Sequence, residues 1–359
     1  MFLERLTTFN FRNLSNKNEV EFHAKNIFFI GKNGQGKTNL IEAIYILTKA
    51  SSFRTRLNDD MIKHNENEAI VSGVFRDREG LTRKVGILIG RKRKAIKLDS
   101  KNLTDRAVLF DQFPSVVFSH EDMEIVKGTM DIRRKFFDQT ISLCDNLFLS
   151  TLRRYFRILK NRNIALKNVQ NELLDVFDNQ LIAEGIEVQK KRRDFLKDFN
   201  VIFSELVSGV SSDLEGIVVE YRPSWKNIEN REKLKREMKL KRDREIQLGF
   251  TVTGPHKDRF VLKLNGMDFS SFSSTGQARL SSLSMKATQA RMIYEIKRKK
   301  PILLLDDVLL EMDQERKVNF LRLLPPYSQA FFTFLPDENY LSYSEDNTQF
   351  FNVENGCLE

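Results

Sequence analysis

The residues best suited to chemistry lie at 31–39, in the string GKNGQGKTN, whose first eight positions fit the spacing G-x-x-x-x-G-K-[ST]. Gly31, Gly34 and Gly36 let backbone approach closely and turn its amides inward, so the loop and the following helix start form a nest for an anion. A triphosphate is the matching ligand, with Lys32, Asn33, Gln35 and Asn39 completing the residues expected around it. Lys37 would set its ammonium against the β- and γ-phosphates, and the Thr38 hydroxyl would ligate Mg²⁺, which keeps most of its waters. The run Ile27, Phe28, Phe29, Ile30 precedes the loop and Leu40, Ile41, Ile44 and Leu47 follow it at helical spacing. That strand, loop, helix order is what the chemistry needs.

Such a loop requires an acidic partner, and PILLLDDVLLEMD at 301–313 is an apolar run ending in two carboxylates. Asp306 would help hold Mg²⁺ from beyond its inner ligands, and Asp307 would polarise the attacking water near the γ-phosphate. Asp307 and Lys37 are therefore the expected catalytic pair. Just ahead of that run, SSTGQ at 273–277 opens a helical pattern through Leu280, Leu283, Met285, Ala287 and Met292 towards the basic KRKK at 297–300. Serine and glycine at a helix start make a second phosphate-binding dipole end, or simply an N-cap. In its position before the Asp306 run it resembles the signature motif of ABC-type ATPases. The resemblance implies that Ser274, Gly276 and Gln277 complete the site of a second subunit.

Other reactive types are scarce. Cys144 and Cys357 lie far apart with no C-x-x-C, which excludes a disulfide framework and a thiolate metal site and predicts a reducing compartment. His256 has no second histidine or cysteine at ligand spacing, so a structural hydrogen bond is its expected role.

These residues must be positioned by a chain of 359 residues, 41% hydrophobic and 30% charged, with net charge +10. The length suits one large or two medium domains. The basic excess fits a polyanionic partner, nucleic acid or an acidic membrane face, and fits equally an AT-rich coding bias. No apolar run approaches the ~18 residues of a membrane helix, and the opening MFLERLTTFNFRN is too polar for a signal core. A soluble cytoplasmic protein is expected. Up to about residue 110 the pattern predicts short strands around one helix. The middle predicts helices, with Leu152, Tyr155, Phe156 and Leu159 on one face and Phe195, Phe199, Phe203 and Leu206 on another. Residues 226–244 carry nine basic and four acidic side chains, so that helix buries only a narrow stripe. Strand-like runs return from Thr251. The expected fold is α/β: a P-loop lobe split in sequence, 1–110 plus 252–359, with a helical lobe at 111–251 inserted. Arg153, Arg154, Arg157, Lys160, residues 190–193 and the 226–244 helix are candidates for phosphate-backbone contact or solvated faces. The phenylalanines read mostly as core.

Several strings together resemble one family, the RecF recombination mediators, relatives of SMC-type ATPase heads. They are FRNL (11–14), GKNGQGKTNLIEAIYIL (31–47), SFRT (52–55), VVFSHEDMEIVKG (116–128), RRKFFD (133–138), GPHKD (254–258), STGQ (274–277) and LLLDDVLLEMD (303–313). An SMC chain would carry long heptad arrays between its halves, and none occur. The resemblance implies an ABC-type ATPase head that dimerises on ATP and hydrolyses it slowly with DNA stimulation. It also implies binding at single-strand gaps and single-to-double-strand junctions, and work with RecR and RecO to load RecA at the nucleoid. Asp313 and Arg54 resemble residues that contact nucleotide across or beside the dimer seam. His120, Arg259 and Met312 depart from the family's usual proline, aspartate and leucine. Ser119 to Glu121 falls near the expected Q-loop, with Gln112 the alternative, and Thr333 stands where transporter ATPases place a switch histidine. The competing classes are a transporter energiser and a DNA clamp in which ATP is structural.

Overall fold

The structure is a computed structural model that describes residues 1–358 apart from 17, 78 and 310–313. Two compact units divide the chain. One comprises Met1–Asp122 with Met285–Glu359, the other Met123–Ser284.

The first unit contains two six-stranded sheets. One is antiparallel, in the order Asn18–Glu21, Phe2–Phe9, Glu68–Arg76, Thr82–Gly90, Lys94–Leu98, Lys101–Asn102. Burial in Glu68–Arg76 alternates along the strand, as expected for a sheet with one covered face. The other sheet runs Cys357–Leu358, Thr348–Glu354, Asn26–Ile30, Gln329–Phe334, Ile302–Leu305, Ser115–Phe118, and every pairing but the terminal hairpin is parallel. Asn26–Ile30 is buried at all five positions, the mark of a strand covered on both faces. Helix Lys37–Lys49 packs against both sheets, and one core joins its residues to theirs. This explains a difference from the sequence pattern. The predicted stripe at Leu40, Ile41, Ile44 and Leu47 is buried, but so are Ala43, Tyr45 and Ile46 on the remaining faces. Each buried leucine or isoleucine among them contributes roughly 1.5–3 kcal/mol by leaving water.

The second unit holds helices Met130–Cys144, Asn146–Lys167, Asn171–Val210 and Arg231–Leu248. It also holds a three-stranded antiparallel sheet of Met267–Asp268, Arg259–Leu264 and Val218–Arg222. The units part from the sequence boundaries at both ends. Ser115–Phe118 is a strand of the parallel sheet, bonded along Ile302–Leu305. Arg259–Leu264 pairs with Val218–Arg222 and so stays with the helices. The face Phe199, Phe203, Leu206 is buried as predicted, whereas Phe156 is 42% exposed while Tyr155 and Leu159 are buried.

Charged groups are also buried in this unit. Arg162 reaches Asp178 at 2.6 Å, Glu245 at 2.7 Å and the Thr251 hydroxyl at 2.7 Å. Arg192 makes two 2.8 Å bonds to Asp138 and one to Asp258, and donates to the Pro255 carbonyl at 2.7 Å. Asp258 accepts further bonds from Gln189, the Ser224 amide and the Tyr221 hydroxyl. The GPHKD string is the loop these groups hold. Gly254 has φ 128°, and a Cβ there would lie 2.8 Å from the Tyr155 hydroxyl.

His256 sits between Tyr155 OH (2.7 Å from Nδ1) and the Thr251 carbonyl (3.0 Å from Nε2). Those partners suit a neutral ring that donates from Nε2 and accepts at Nδ1. Burial lowers its pKa to about 4. The unfolded chain, with histidine near 6.5, therefore binds the extra proton first, so stability is complete above about pH 6.5 and falls as pH drops towards 4. Between pH 7.5 and 5 the expected loss from this group is about 2 kcal/mol. Denaturant titrations of the wild type and His256→Gln at both pH values check it, and equal pH dependence in the two would refute it.

Candidate phosphate-binding site

Neighbouring parallel strands end at one edge of the sheet. Pairing Ile30 with Phe334, and Leu305 with both Phe332 and Phe118, brings together the loop after Ile30, the acidic pair after Leu305 and Ser119. Ligands in parallel sheets bind beyond this carboxyl edge. Gly36 caps helix Lys37–Lys49 in the left-handed region, φ 114°, with no side-chain cap, so the first helical amides remain for a ligand. A cleft of about 210 Å³ opens there, lined by Lys32, Asn33, Gly34, Gly36, Lys37, Thr38, Asn39, Arg54 and Asp307.

The three glycines serve different ends. Gly34, φ 81°, has open space where a Cβ would stand. A Cβ on Gly31 would lie 2.4 Å from the Val353 carbonyl oxygen, and one on Gly36 would lie 3.1 Å from the Leu14 side chain. Gly31 and Gly36 are thus small because protein packs behind the loop, which the spacing of glycines alone does not reveal. Gln35 also turns to that side, accepting from the Gly356 amide at its carbonyl (2.9 Å) and from the Asn355 amide at Oε1 (2.6 Å).

The Lys37 ammonium folds onto the loop, donating to the carbonyls of Gly31 (2.5 Å) and Lys32 (3.1 Å). Burial holds its pKa below the usual lysine value, opposed by Asp307 and Asp306. The Thr38 hydroxyl donates to Asp306 Oδ1 at 2.9 Å. Burial, and then the neighbouring Asp307, push Asp306 up to about 7. Asp307 has φ 51°. Its amide donates to Thr333 Oγ1 and the Thr333 hydroxyl donates back to Asp307 Oδ1, both at 2.8 Å. Thr333 therefore fixes the orientation of the second carboxylate.

Thr38, Asp306 and Asp307 present oxygen donors only, the set preferred by a hard cation. No group of three His, Cys, Asp or Glu that could hold a metal exists among the described residues. A cation bound here would complete its shell with water or phosphate, as Mg²⁺ does.

Behind the cleft, buried Glu42 takes a forked pair of bonds from Arg12, 2.9 Å and 2.8 Å. It also accepts from the Ser52 hydroxyl at 2.5 Å and lies 3.4 Å from Arg54. Arg54 donates to Asn39 at 2.8 Å, and Asn13 donates to the Gly34 carbonyl at 3.1 Å. The FRNL and SFRT strings are anchored to the phosphate loop through these contacts.

The remaining candidates are distributed as follows. Ser274 and Gln277 form a reciprocal cap: the Ser274 hydroxyl accepts from the Gln277 amide (3.2 Å) and Gln277 Oε1 from the Ser274 amide (3.0 Å). They open helix Thr275–Lys297, and a Cβ on Gly276 would meet nothing. Asp313 and Met312 lie outside the described residues. Ser119, His120 and Glu121 follow strand Ser115–Phe118 at the site's edge, where burial raises the Glu121 carboxyl against the attraction of Arg54. Gln112 precedes that strand, at the opposite edge, so the structure separates it from the cleft. Among the basic candidates Arg192 is a correction. It is fully buried and paired with two aspartates, leaving no group for DNA. Arg154 pairs with Glu184, and Arg242 with Asp175 and Asp178.

Residues 2–359 match the family model of the RecF/RecN/SMC N-terminal domain. The DNA replication and repair protein RecF of Treponema pallidum (strain Nichols) is 35% identical, covering 98% of this chain and 99% of that protein. RecF of Geotalea uraniireducens (strain Rf4) is 34% identical over 99% of both. A solved structure of the recombination mediator protein RecF with ATP, in the RecFOR pathway, superposes with TM-score 0.89 at 30% identity, covering 100% of this chain and 98% of the other. An SMC head bound to the C-terminal winged-helix domain of ScpA shares the fold, with TM-score 0.57 at 15% identity over 100% of this chain and 97% of that one.

Replacing Glu42 by Gln removes the buried negative charge to which Arg12 is paired. A loss of about 3 kcal/mol in unfolding free energy is expected, read from the denaturant midpoint. A change below about 1 kcal/mol, the range of exposed pairs, would show that this anchor is dispensable.

Proposed function

This chain belongs to the RecF branch of the RecF/RecN/SMC family, and we propose that it is a DNA-bound switch whose two half-sites close on ATP. Within that branch it is a recombination-mediator ATPase of the RecFOR pathway. The observation that carries the reading is the 2.9 Å bond from Thr38 to Asp306 at the mouth of an uncapped helix and its glycine loop.

In this reading the triphosphate lies along the open amides at the helix start. Lys37 exchanges the carbonyls of Gly31 and Lys32 for β- and γ-phosphate oxygens, and Arg54 and Asn39 stand at the cleft's rim. Mg²⁺, held by Thr38 and Asp306, would offset phosphate charge when bound. Asp307, held by Thr333, orients a water and takes its proton as the water oxygen bonds to the γ-phosphorus and the β–γ bridging bond breaks. Ser274, Gly276 and Gln277 of the partner subunit supply a capped helix tip to the γ-phosphate, with Asp313 beside the seam. Because the γ-phosphate makes the contacts that distinguish closed from open, ATP and not ADP favours the dimer.

The closed dimer holds DNA at single-strand gaps and single-to-double-strand junctions, hydrolyses ATP slowly with DNA stimulation, and acts with RecR and RecO in loading RecA. Exposed basic side chains on helix Arg231–Leu248 support a phosphate-backbone contact.

Sedimentation with ATP and with ADP tests the switch: a dimer is expected only with ATP. Lys37→Ala should weaken nucleotide binding at least tenfold, on the order of 1.4 kcal/mol. Ser274→Arg should bind nucleotide yet stay monomeric, and Asp307→Asn should remain dimeric long after ATP addition. An ATP-dependent dimer of Ser274→Arg would refute the shared site.

A further inference from the structure

We propose that the turn at Asn355 and Gly356 is a clamp that sets the phosphate loop in its binding shape, making Gln35, Asn355 and Gly356 positioning residues for the nucleotide. The inference rests on the ATP reading of the cleft. Strands Thr348–Glu354 and Cys357–Leu358 pair through Glu354 and Cys357, leaving a two-residue connection. Both of its residues are left-handed, Asn355 at φ 50° and Gly356 at φ 76°. Asn-Gly in that conformation is the favoured tight hairpin turn.

The turn's amides are spent on one residue of the phosphate loop. Asn355 N–H donates to Gln35 Oε1 at 2.6 Å and Gly356 N–H to the Gln35 carbonyl at 2.9 Å. The Gly356 carbonyl in turn accepts from the Ser15 amide at 3.0 Å. The fit leaves no spare room, since a Cβ on Gly356 would lie 2.3 Å from the Asn13 carbonyl oxygen.

The two bonds together hold Gln35 against the turn, and the one to its carbonyl sets the direction of the next amide. In a trans peptide the carbonyl of Gln35 and the amide of Gly36 point in opposite directions. Holding that carbonyl against the turn directs the Gly36 amide away from it, and Gly36, unlike Gln35, lines the cleft. The clamp thus acts before the ligand arrives, keeping an amide aimed where an anion will sit; without it, binding would bear the cost of ordering the loop.

The test measures the dissociation constant of a fluorescent, slowly hydrolysed ATP analogue with Mg²⁺ on the full chain, and the Tm without nucleotide. Gln35→Met removes the side-chain acceptor, and Asn355→Val disfavours the left-handed turn. Each should weaken binding about fivefold to tenfold, the factor that corresponds to losing one hydrogen bond. Asn355→Gly, which keeps the turn, should bind like the wild type. The double variant Gln35→Met/Asn355→Val should lose no more than Asn355→Val alone, because opening the turn already forfeits the bond from the Asn355 amide to the Gln35 side chain. Multiplying losses, or equal weakening in Asn355→Gly and Asn355→Val, would overturn the clamp. If Asn355→Val does not fold, Gln35→Met decides: weaker binding at unchanged Tm supports the proposal, and wild-type affinity ends it. Failure of the unsubstituted chain to bind the analogue would sink the ATP reading itself, and the clamp with it.

Discussion

The hydrogen bond from Thr38 to Asp306 joins residues 268 positions apart, and the site exists only because two strands hold their ends at the same height. Neither residue has chemistry alone. A threonine at a helix start is an ordinary polar group, and a buried aspartate next to another aspartate is an electrostatic burden. Register turns the pair into oxygen donors facing a basic loop. A one-residue slip of Ile302–Leu305 against Gln329–Phe334 would carry Asp306 away and turn each side chain to the other face. The wholly buried strand Asn26–Ile30 and the phenylalanine contacts across it, Phe28 with Phe332, Phe334 and Phe350, hold Gln329–Phe334 in register with the strand that carries the loop.

The second unit follows another logic. Arg162 and Arg192 are fully buried, yet both are surrounded by acceptors, so desolvation is met by paired charge and by several hydrogen bonds at once. Removing one partner would strand the rest. Such networks are directional where apolar packing is not, which suits a unit in which a forty-residue helix, Asn171–Val210, must keep one rotation about its axis.

Features carried by consecutive residues were legible in the sequence. The glycine spacing, Lys37, Thr38, the two aspartates and the following helix needed no knowledge of distant chain, because local backbone chemistry dictates them. What escaped depends on partners far away in sequence. Arg192 lies in KKRR, which reads as a solvated face until Asp138 and Asp258 arrive from 54 and 66 residues away. Gln35 looks like a ligand-binding residue until Asn355 meets it. The small sheet of the second unit was missed because Val218–Arg222 is short and finds its partner only at Arg259–Leu264. Phe156 has the spacing of a core residue but remains exposed, while Phe148, Tyr155, Leu159, Arg162, Ala165 and Leu166 form the buried face of its helix.

The strand that carries the phosphate loop ends at Ile30, but both its neighbours, Gln329–Phe334 and Thr348–Glu354, are made about three hundred residues later. At about 5–20 residues per second, the nascent chain spends roughly 15–60 s with that apolar strand bare on both edges. Newly emerging protein is therefore exposed to mispairing and to chaperone capture over that interval, and a ribosome that stops before Gln329 releases a chain in which the strand feeding the phosphate loop has neither neighbour.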